Sequence, residues 1–276
     1  MTKATSRYLL TSALSVPREL EIVLNGPIGP QRVRDDTHII NQNGWYRTIT
    51  PSAKFSTLND ILFSNLEPTN PDAQIDAIID EYHQQGLPFT WSVYPWSQPQ
   101  DLGERLLARG ATGITVQAYL APTSLALDRV DGVEVECVAP ASTAGIDAYL
   151  EILSAGYQLS PDEETFRRNR YHQLCSEPPS MRLLIARCDG VLAGCLGMVL
   201  KTDSAHLTSA SVLPQFQARG VFQSLIAASL ATLRDMNIPF ASGHSNAQSA
   251  FWVARFGFKS IYTYTLYELV PTIPKR

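Results

Sequence analysis

The segment Ser211–Phe222 combines residue types that could bind a phosphate group. An apolar run ends at Val212, a loop containing Pro214 follows, and a helical pattern begins close to Gly220. The first turn of a helix leaves backbone N–H groups unpaired and carries a partial positive charge, so it attracts anions. The missing side chain at Gly220 should admit an anion, and Arg219 adds a cation. An ordinary strand–loop–helix turn without a ligand explains the same pattern, because glycine loops are common.

Histidine and tyrosine side chains are the candidates for proton transfer. His244 lies at the end of a predicted strand, and an imidazole can accept a proton from an amine near neutral pH. The alternative is a histidine that bonds a backbone carbonyl. His206 lies near the start of its own predicted strand. Tyr262 and Tyr264 lie on the last strand, either as plain sheet residues or facing a substrate.

Cysteine spacing gives no indication of a metal site or of a nucleophile. The four cysteines form no C-x-x-C pair and no zinc-type spacing with histidine. Cys188 and Cys195 lie in apolar stretches, where a small buried hydrophobic residue is the simpler interpretation than a catalytic thiol. We therefore expect no bound metal.

Composition is that of a globular protein. The 276 residues are 45% hydrophobic and 17% charged, with a formal net charge of −4. This acidic balance argues against a nucleic-acid partner and an anionic membrane surface. Neither a signal-peptide pattern nor an apolar run of about 18 residues is present, so we expect a cytoplasmic protein without a membrane partner.

The chain reads as two α/β domains, 1–128 and 129–276. A polar stretch, 127–132, separates them. Before it, helical and strand patterns alternate: helices at 73–85 and 102–109, and strands at 89–93 and 113–120. After it, the predicted order is strand 133–138, helices 143–155 and 161–174, strands 181–188, 191–200 and 205–212, helix 220–235, strand 238–243, helix 246–256 and strand 259–269.

The segment Ser211–Phe222 resembles the acyl-CoA-binding motif of the GNAT acyltransferase superfamily, V-x-P-x-x-[QR]-x-x-G-x-[GA]. Val212, Pro214, Gln217 and Gly220 match it, and Phe222 departs from the final Gly or Ala. A second family motif, N-x-x-[AS] followed by aromatic residues and G-F, is matched in order further along the chain. Its residues here are Asn246, Ser249, Phe251, Trp252, Gly257 and Phe258.

The resemblance covers about 132–270 and implies a mixed-sheet α/β GNAT fold in the C-terminal half. The N-terminal half is similar to the degenerate GNAT-like half of two-domain members, because it lacks the cofactor motif. Strands ending at Val212 and Gly243 are expected to spread apart and admit the pantetheine arm. The implied cofactor is acetyl-CoA or another acyl-CoA. The implied cofactor-binding residues are Val212, Leu213, Pro214, Gln217, Ala218, Arg219, Gly220, Val221, Phe222, Asn246, Ser249 and Phe251.

The expected chemistry follows from the same resemblance. The N–H of Val212, or of its neighbour, would stabilise the thioester oxygen, and backbone N–H groups of 217–222 would hold the pyrophosphate. Many family members have a general-acid tyrosine where this chain has Val253, which cannot donate a proton. The predicted catalytic residues are Val212, His244 and Tyr262, and the predicted substrate-binding residues are Tyr157, Trp91 and Tyr264. For Trp91 the alternative is core packing.

The predicted function is transfer of an acetyl or other short acyl group to the amine of a small molecule. Two alternatives keep the fold. One is a different donor, such as a carrier protein or an aminoacyl-tRNA, or non-transfer thioester chemistry. The other is a CoA-binding module without turnover. A homodimer is left open.

Overall fold

The computed structural model describes residues 17–42, 44–140, 142–176 and 178–271, which fold into two compact units. The first contains 32–117 with the described residues of 1–21 and 262–276. The second contains 22–31 and 118–261. These units differ from the predicted division after residue 128. The difference arises because 22–31 joins the second unit and most of the last strand joins the first.

The first unit has the strand order β1-β2-β3-β4-β11-β5. Strands β3 and β4 pair in parallel, where Asp60 faces Thr90. The core between helices and sheet holds fully buried Trp91 and Tyr82. The elements are α1 (Arg18–Asn25, entering the second unit from Ile22), β1 (His38–Gln42), β2 (Trp45–Ile49), β3 (Asp60–Phe63), α2 (Pro71–His83), β4 (Phe89–Val93), α3 (Leu102–Leu107), β5 (Thr112–Pro122) and β11 (Lys259–Leu269).

The second unit has the strand order β5-β10-β9-β8-β7-β6. Strands β6 to β9 are joined antiparallel, and β10 pairs with β9 in parallel. The remaining elements are β6 (Val133–Cys137), α4 (Thr143–Tyr157), α5 (Pro161–Leu174), β7 (Met181–Cys188), β8 (Val191–Leu200), β9 (Ser204–Val212), α6 (Val221–Asp235), β10 (Phe240–Asn246) and α7 (Ala247–Arg255).

Both faces of this second sheet are covered. Leu184 packs with residues of α6, whereas its neighbour Leu183 packs with residues of α4 and α5. Alternation along a strand sends successive side chains to opposite faces, so two apolar layers form on one sheet. The edge of the sheet where β9 ends therefore lies between α4 on one face and α6 on the other.

Several predicted elements are confirmed to the residue, namely β4, α5, β7, β8 and β11. The β7–β8 turn is the predicted Asp189–Gly190 hairpin, with positive φ of 52° and 77°. Strand β10 ends at Asn246, three residues beyond the prediction. The sequence did not predict α1 or β1 to β3.

The helix that follows β3 supports the degenerate character of the first half. The side chain of Asn70 caps α2 by accepting from the N–H of Ala73, and Pro71 occupies the first turn. Proline has no N–H, and the cap satisfies another, so this helix start offers few donors to an anion.

Candidate active site

Strands β9 and β10 separate at the edge of the sheet where the phosphate-type loop begins. Their last paired residues are Leu207 and Gly243, yet β9 continues to Val212 and β10 to Asn246. Beyond that pair, the register of the described residues joins the two strands no further. The pairing therefore ends where the family resemblance implies a gap between the two strands.

A bulge in β9 lies just before Val212. The single residue Leu196 of β8 faces both Ser209 and Ala210 of β9. Ser209 has a φ of 52°, a left-handed conformation that costs a residue with a side chain about 1–2 kcal/mol. A bulge bends its strand and increases the local twist. This bend accounts for the departure of β9 from β10.

The N–H of Val212 points towards the gap. Leu213 N donates to Ala193 O of β8 at 2.9 Å, so the Leu213 amide faces β8. Successive amides of an extended strand point to opposite sides. The Val212 amide therefore faces the side of β9 from which β10 has diverged, where it could donate to a ligand.

The start of α6 leaves backbone donors available. Its N-cap, Gly220, makes no side-chain cap bond, and the first intrahelical bond is Ser224 N to Gly220 O at 3.0 Å. The amides of 221–223 therefore have no acceptor within the helix. Ala218 and Gly220 have φ of 60° and 77°, and turns of this kind direct N–H groups into an anion-binding concavity. Residues 217–219 are exposed, so the turn is open to solvent.

Two details of the predicted phosphate site are corrected. The amide of Gln217 donates to Pro214 O at 3.3 Å, so the available donors begin at Ala218. A Cβ at Gly220 would stand 2.5 Å from the nearest atom of Val130. The space left by the missing side chain is thus filled by Val130 and does not admit an anion. The glycine is required for its positive φ and for this packing.

Arg219 and Phe222 flank the turn. The Arg219 guanidinium lies 3.3 Å from Asp189 and 5.5 Å from the ring centre of Phe216, and its side chain is half exposed. The ring of Phe222 lies 5.8 Å from that of Phe256. Arg219 could reorient towards a phosphate by giving up one weak surface pair.

Other predicted cofactor residues could meet a ligand only through the backbone, or shape the turn. The Leu213 amide is bonded to β8, and Pro214 has no N–H and opens the turn. The Val221 side chain is buried in the core, so only its amide can face a ligand.

His244 lies where the gap opens, one residue after the last paired residue of β10. Its Nε2 lies 3.2 Å from the carbonyl oxygen of Val23. A carbonyl only accepts, so Nε2 carries the proton, and a neutral ring then has its lone pair on Nδ1. His206 is buried beside it, with ring centres 5.3 Å apart. The carbonyl-bonded alternative is thus observed, and in this tautomer Nδ1 is the basic nitrogen.

Two tyrosines of α4 contact the bulge in β9. Tyr157 Oη donates to Ala210 O at 3.0 Å, and Tyr149 Oη donates to Ser209 O at 3.1 Å. Tyr157 is 55% exposed, which is compatible with its predicted contact to an acceptor. The sequence did not single out Tyr149 or the bulge. The small polar run 208–211 was the available signal.

Residues of the second motif surround the start of α7. Asn246 Oδ1 accepts from Ser249 N at 3.1 Å. The side-chain Nδ2 of Asn246 is therefore the group that could contact pantetheine. Phe251 is exposed and lies 5.4 Å from Trp252, which gives its predicted place at the thiol end no support. Val253 is buried in the core below α6.

Three predicted site residues belong to the first unit. Trp91 is fully buried in its core, which supports the packing alternative. Tyr262 and Tyr264 are nearly buried around the ring of Tyr94, at 5.7 and 5.2 Å between ring centres. Burial raises the pKa of the Tyr262 hydroxyl far above its usual range, so it is poorly suited to accept or release protons.

Cys195 is a structural residue. Burial raises the pKa of its thiol to about 12, so no reactive thiolate forms near neutral pH. Over the described part of the chain, no group of three or more His, Cys, Asp or Glu residues is arranged to hold a metal ion. Within the same residues, no helix has the combined length and apolarity needed to cross a bilayer.

Residues 146–258 match the model of the Acetyltransferase (GNAT) family. This part of the chain is a GNAT acetyltransferase domain. The matched residues include α4 to α7 and the diverging strands β9 and β10. No curated protein matches the chain.

Solved structures share the fold of the GNAT domain and of the rest of the chain. A functionally unknown conserved protein of Staphylococcus epidermidis is similar with a TM-score of 0.70 and 13% identity, covering 89% of this chain and 98% of that one. A GCN5-related N-acetyltransferase of Kribbella flavida gives 0.65 and 13%, covering 91% and 93%. A tandem GNAT protein of the clavulanic acid pathway gives 0.55 and 13%, covering 87% and 86%. At this identity the likeness concerns the fold alone.

Proposed function

We propose that the GNAT domain transfers an acetyl or other short acyl group from acyl-CoA to the amine of a small molecule. The observation that supports this most is the end of β9–β10 pairing at Leu207 and Gly243, near the uncapped start of α6. The amides of Ala218 and of 220–223 would hold the diphosphate. The gap would take the extended pantetheine arm.

Acyl-CoA supplies an activated carbonyl carbon and a good leaving group. The Val212 N–H would donate to the carbonyl oxygen as negative charge develops on it. Removing one such donor costs other enzymes about 3 kcal/mol of transition-state stabilisation. Holding the amine beside the thioester lowers the reaction barrier further, because the two reactants then react within one complex.

His244 is the group that we assign to the amine proton. Its Nε2 is oriented by Val23 O, so Nδ1 would accept the proton. A thiol has a pKa of about 8.5, so the thiolate can leave without the general acid that Val253 cannot supply. This removes the need for a catalytic tyrosine.

Two departures from the family pattern keep a second candidate open, a domain that binds CoA without turnover or uses another donor. Val253 is buried, and Phe222 packs on Phe256 beside the turn that would take the diphosphate. Calorimetry with acetyl-CoA followed by a thiol-release assay over a panel of small amines distinguishes these cases. Binding with release supports transfer, binding without release supports the module, and no binding supports another donor.

Val212→Pro gives the sharper test, because it removes the N–H that faces the gap. Val212→Ala keeps that N–H and is the matched control. We expect kcat to fall roughly 10²- to 10³-fold in the proline variant only. Equal kcat in the two variants would remove Val212 from the assignment.

A further inference from the structure

The bulge in β9 is held from outside its own sheet. Two successive carbonyl groups, those of Ser209 and Ala210, accept hydrogen bonds from the hydroxyls of Tyr149 and Tyr157. Both tyrosines belong to α4, near its middle and at its last residue. One helix therefore binds both residues that form the bulge.

Further contacts fix the same short segment. The Cys195 thiol lies 3.8 Å from Ser209 O. A Cβ at Gly156 would stand 1.9 Å from Ser211 Oγ, so the last turn of α4 lies directly against the residue before Val212. A non-glycine residue with a φ of 52°, as at Ser209, persists only where its surroundings over-determine it.

We propose that Tyr149 and Tyr157 are positioning residues that set the direction of the Val212 amide. This inference rests on the proposed function, since the amide is useful only if it meets a carbonyl oxygen. Val212 follows the bulge by two residues, so rotation of the bulge would turn its N–H out of the gap. Neither tyrosine has to touch the donor for this role.

The two hydroxyls should contribute unequally. Tyr149 is fully buried, so loss of its hydroxyl leaves Ser209 O without that donor in a site that water does not reach. Tyr157 is 55% exposed, so water reaches its position more readily than that of Tyr149. The larger effect is therefore expected at Tyr149.

The test uses the full chain with Tyr149→Phe, Tyr157→Phe and the matched control Tyr171→Phe. Tyr171 is also buried beside Tyr149, but its hydroxyl accepts from Arg167 and does not bond β9. We expect kcat for acetyl-CoA with a responding amine to fall roughly 10- to 100-fold in Tyr149→Phe and less in Tyr157→Phe. KM for acetyl-CoA should stay within about twofold, because the diphosphate amides are untouched.

Hydrogen exchange of the Leu213 amide, which donates to Ala193 O beside the bulge, gives a readout that needs no turnover. We expect exchange about 10-fold faster in Tyr149→Phe than in wild type or in Tyr171→Phe, because the segment opens more readily. Wild-type exchange and wild-type kcat in both β9-bonded variants would overturn the inference. If the wild-type protein releases no thiol, the proposed function fails, and the exchange rates alone still decide whether the tyrosines hold the bulge.

Discussion

Gly156 of α4 lies against Ser211 of β9 so closely that no side chain fits between them. A Cβ at Gly156 would come within 1.9 Å of Ser211 Oγ and 3.0 Å of its Cβ. The turn of α4 beside Tyr157 thereby reaches the strand that carries the candidate oxyanion donor. This contact connects helix packing with the geometry of the GNAT site.

Replacing Gly156 by alanine tests that contact, because the contact decides whether the substitution raises or lowers the free energy of unfolding. In an exposed helical position, Gly→Ala stabilises by about 1 kcal/mol. Here the clash should dominate, and we expect a net loss of about 1–2 kcal/mol in urea unfolding. Adding Ser211→Ala removes the nearest atom and should recover most of that loss. If Gly156→Ala alone were more stable than wild type, the close approach would be absent in solution.

Gly220 can be tested against a glycine with the same backbone angle. Gly220 and Gly190 both have a φ of 77°, but only Gly220 has a neighbour, Val130, in the space of a Cβ. We expect Gly190→Ala to lower the free energy of unfolding by about 1 kcal/mol, measured by urea unfolding. Gly220→Ala should lower it by about 1–3 kcal/mol more than Gly190→Ala does. Equal losses would mean that Val130 does not back the phosphate turn.

Lys201 should make stability depend on alkaline pH. Its Nζ donates to Ile28 O, and burial lowers its pKa from 10.5 to about 8. Between these values the unfolded chain binds more protons, so the free energy of unfolding rises with pH, by at most about 3 kcal/mol.

The measurement is urea unfolding from pH 7 to pH 10 for wild type and Lys201→Met. As pH rises, the free energy of unfolding of wild type should increase relative to that of Lys201→Met. Lys259→Met, at an exposed lysine, is the control for the Lys→Met replacement itself. A pH-independent difference for Lys201→Met would contradict the buried amine.

His244→Gln separates proton transfer from positioning. A glutamine amide can still donate to Val23 O, but it cannot accept a proton from an amine. We expect kcat to fall roughly 10²- to 10⁴-fold with little change in the thermal midpoint. His38→Gln, at an exposed histidine, should leave kcat unchanged. Wild-type kcat in His244→Gln between pH 6 and 9 would exclude His244 as the base.

Local patterns predicted most of the GNAT domain. The Asp189–Gly190 turn, the edges of α5 and the loop before α6 depend on nearby residues, and their bounds follow from alternation, caps and glycine. The fold and the diverging strands followed from the family motifs. These features are encoded within a few residues of where they appear.

Contacts between distant segments were not predictable in the same way. His244 bonds Val23 across 221 residues, and Tyr149 reaches Ser209 across 60. No pattern in either segment specifies its partner, because a backbone carbonyl is the same chemical group at every residue. The prediction that the space beside Gly220 admits an anion was wrong for the same reason. Val130, which fills that space, lies far from Gly220 in the chain.

The membership of 22–31 in the second unit has a consequence for how the molecule is made. The carbonyl that orients His244 leaves the ribosome long before the imidazole does, with the whole of 32–117 synthesised in between. Translation must therefore pass through a stage in which that early segment waits for its partner. A gene fragment starting at residue 129 would encode the histidine without the group that fixes its tautomer.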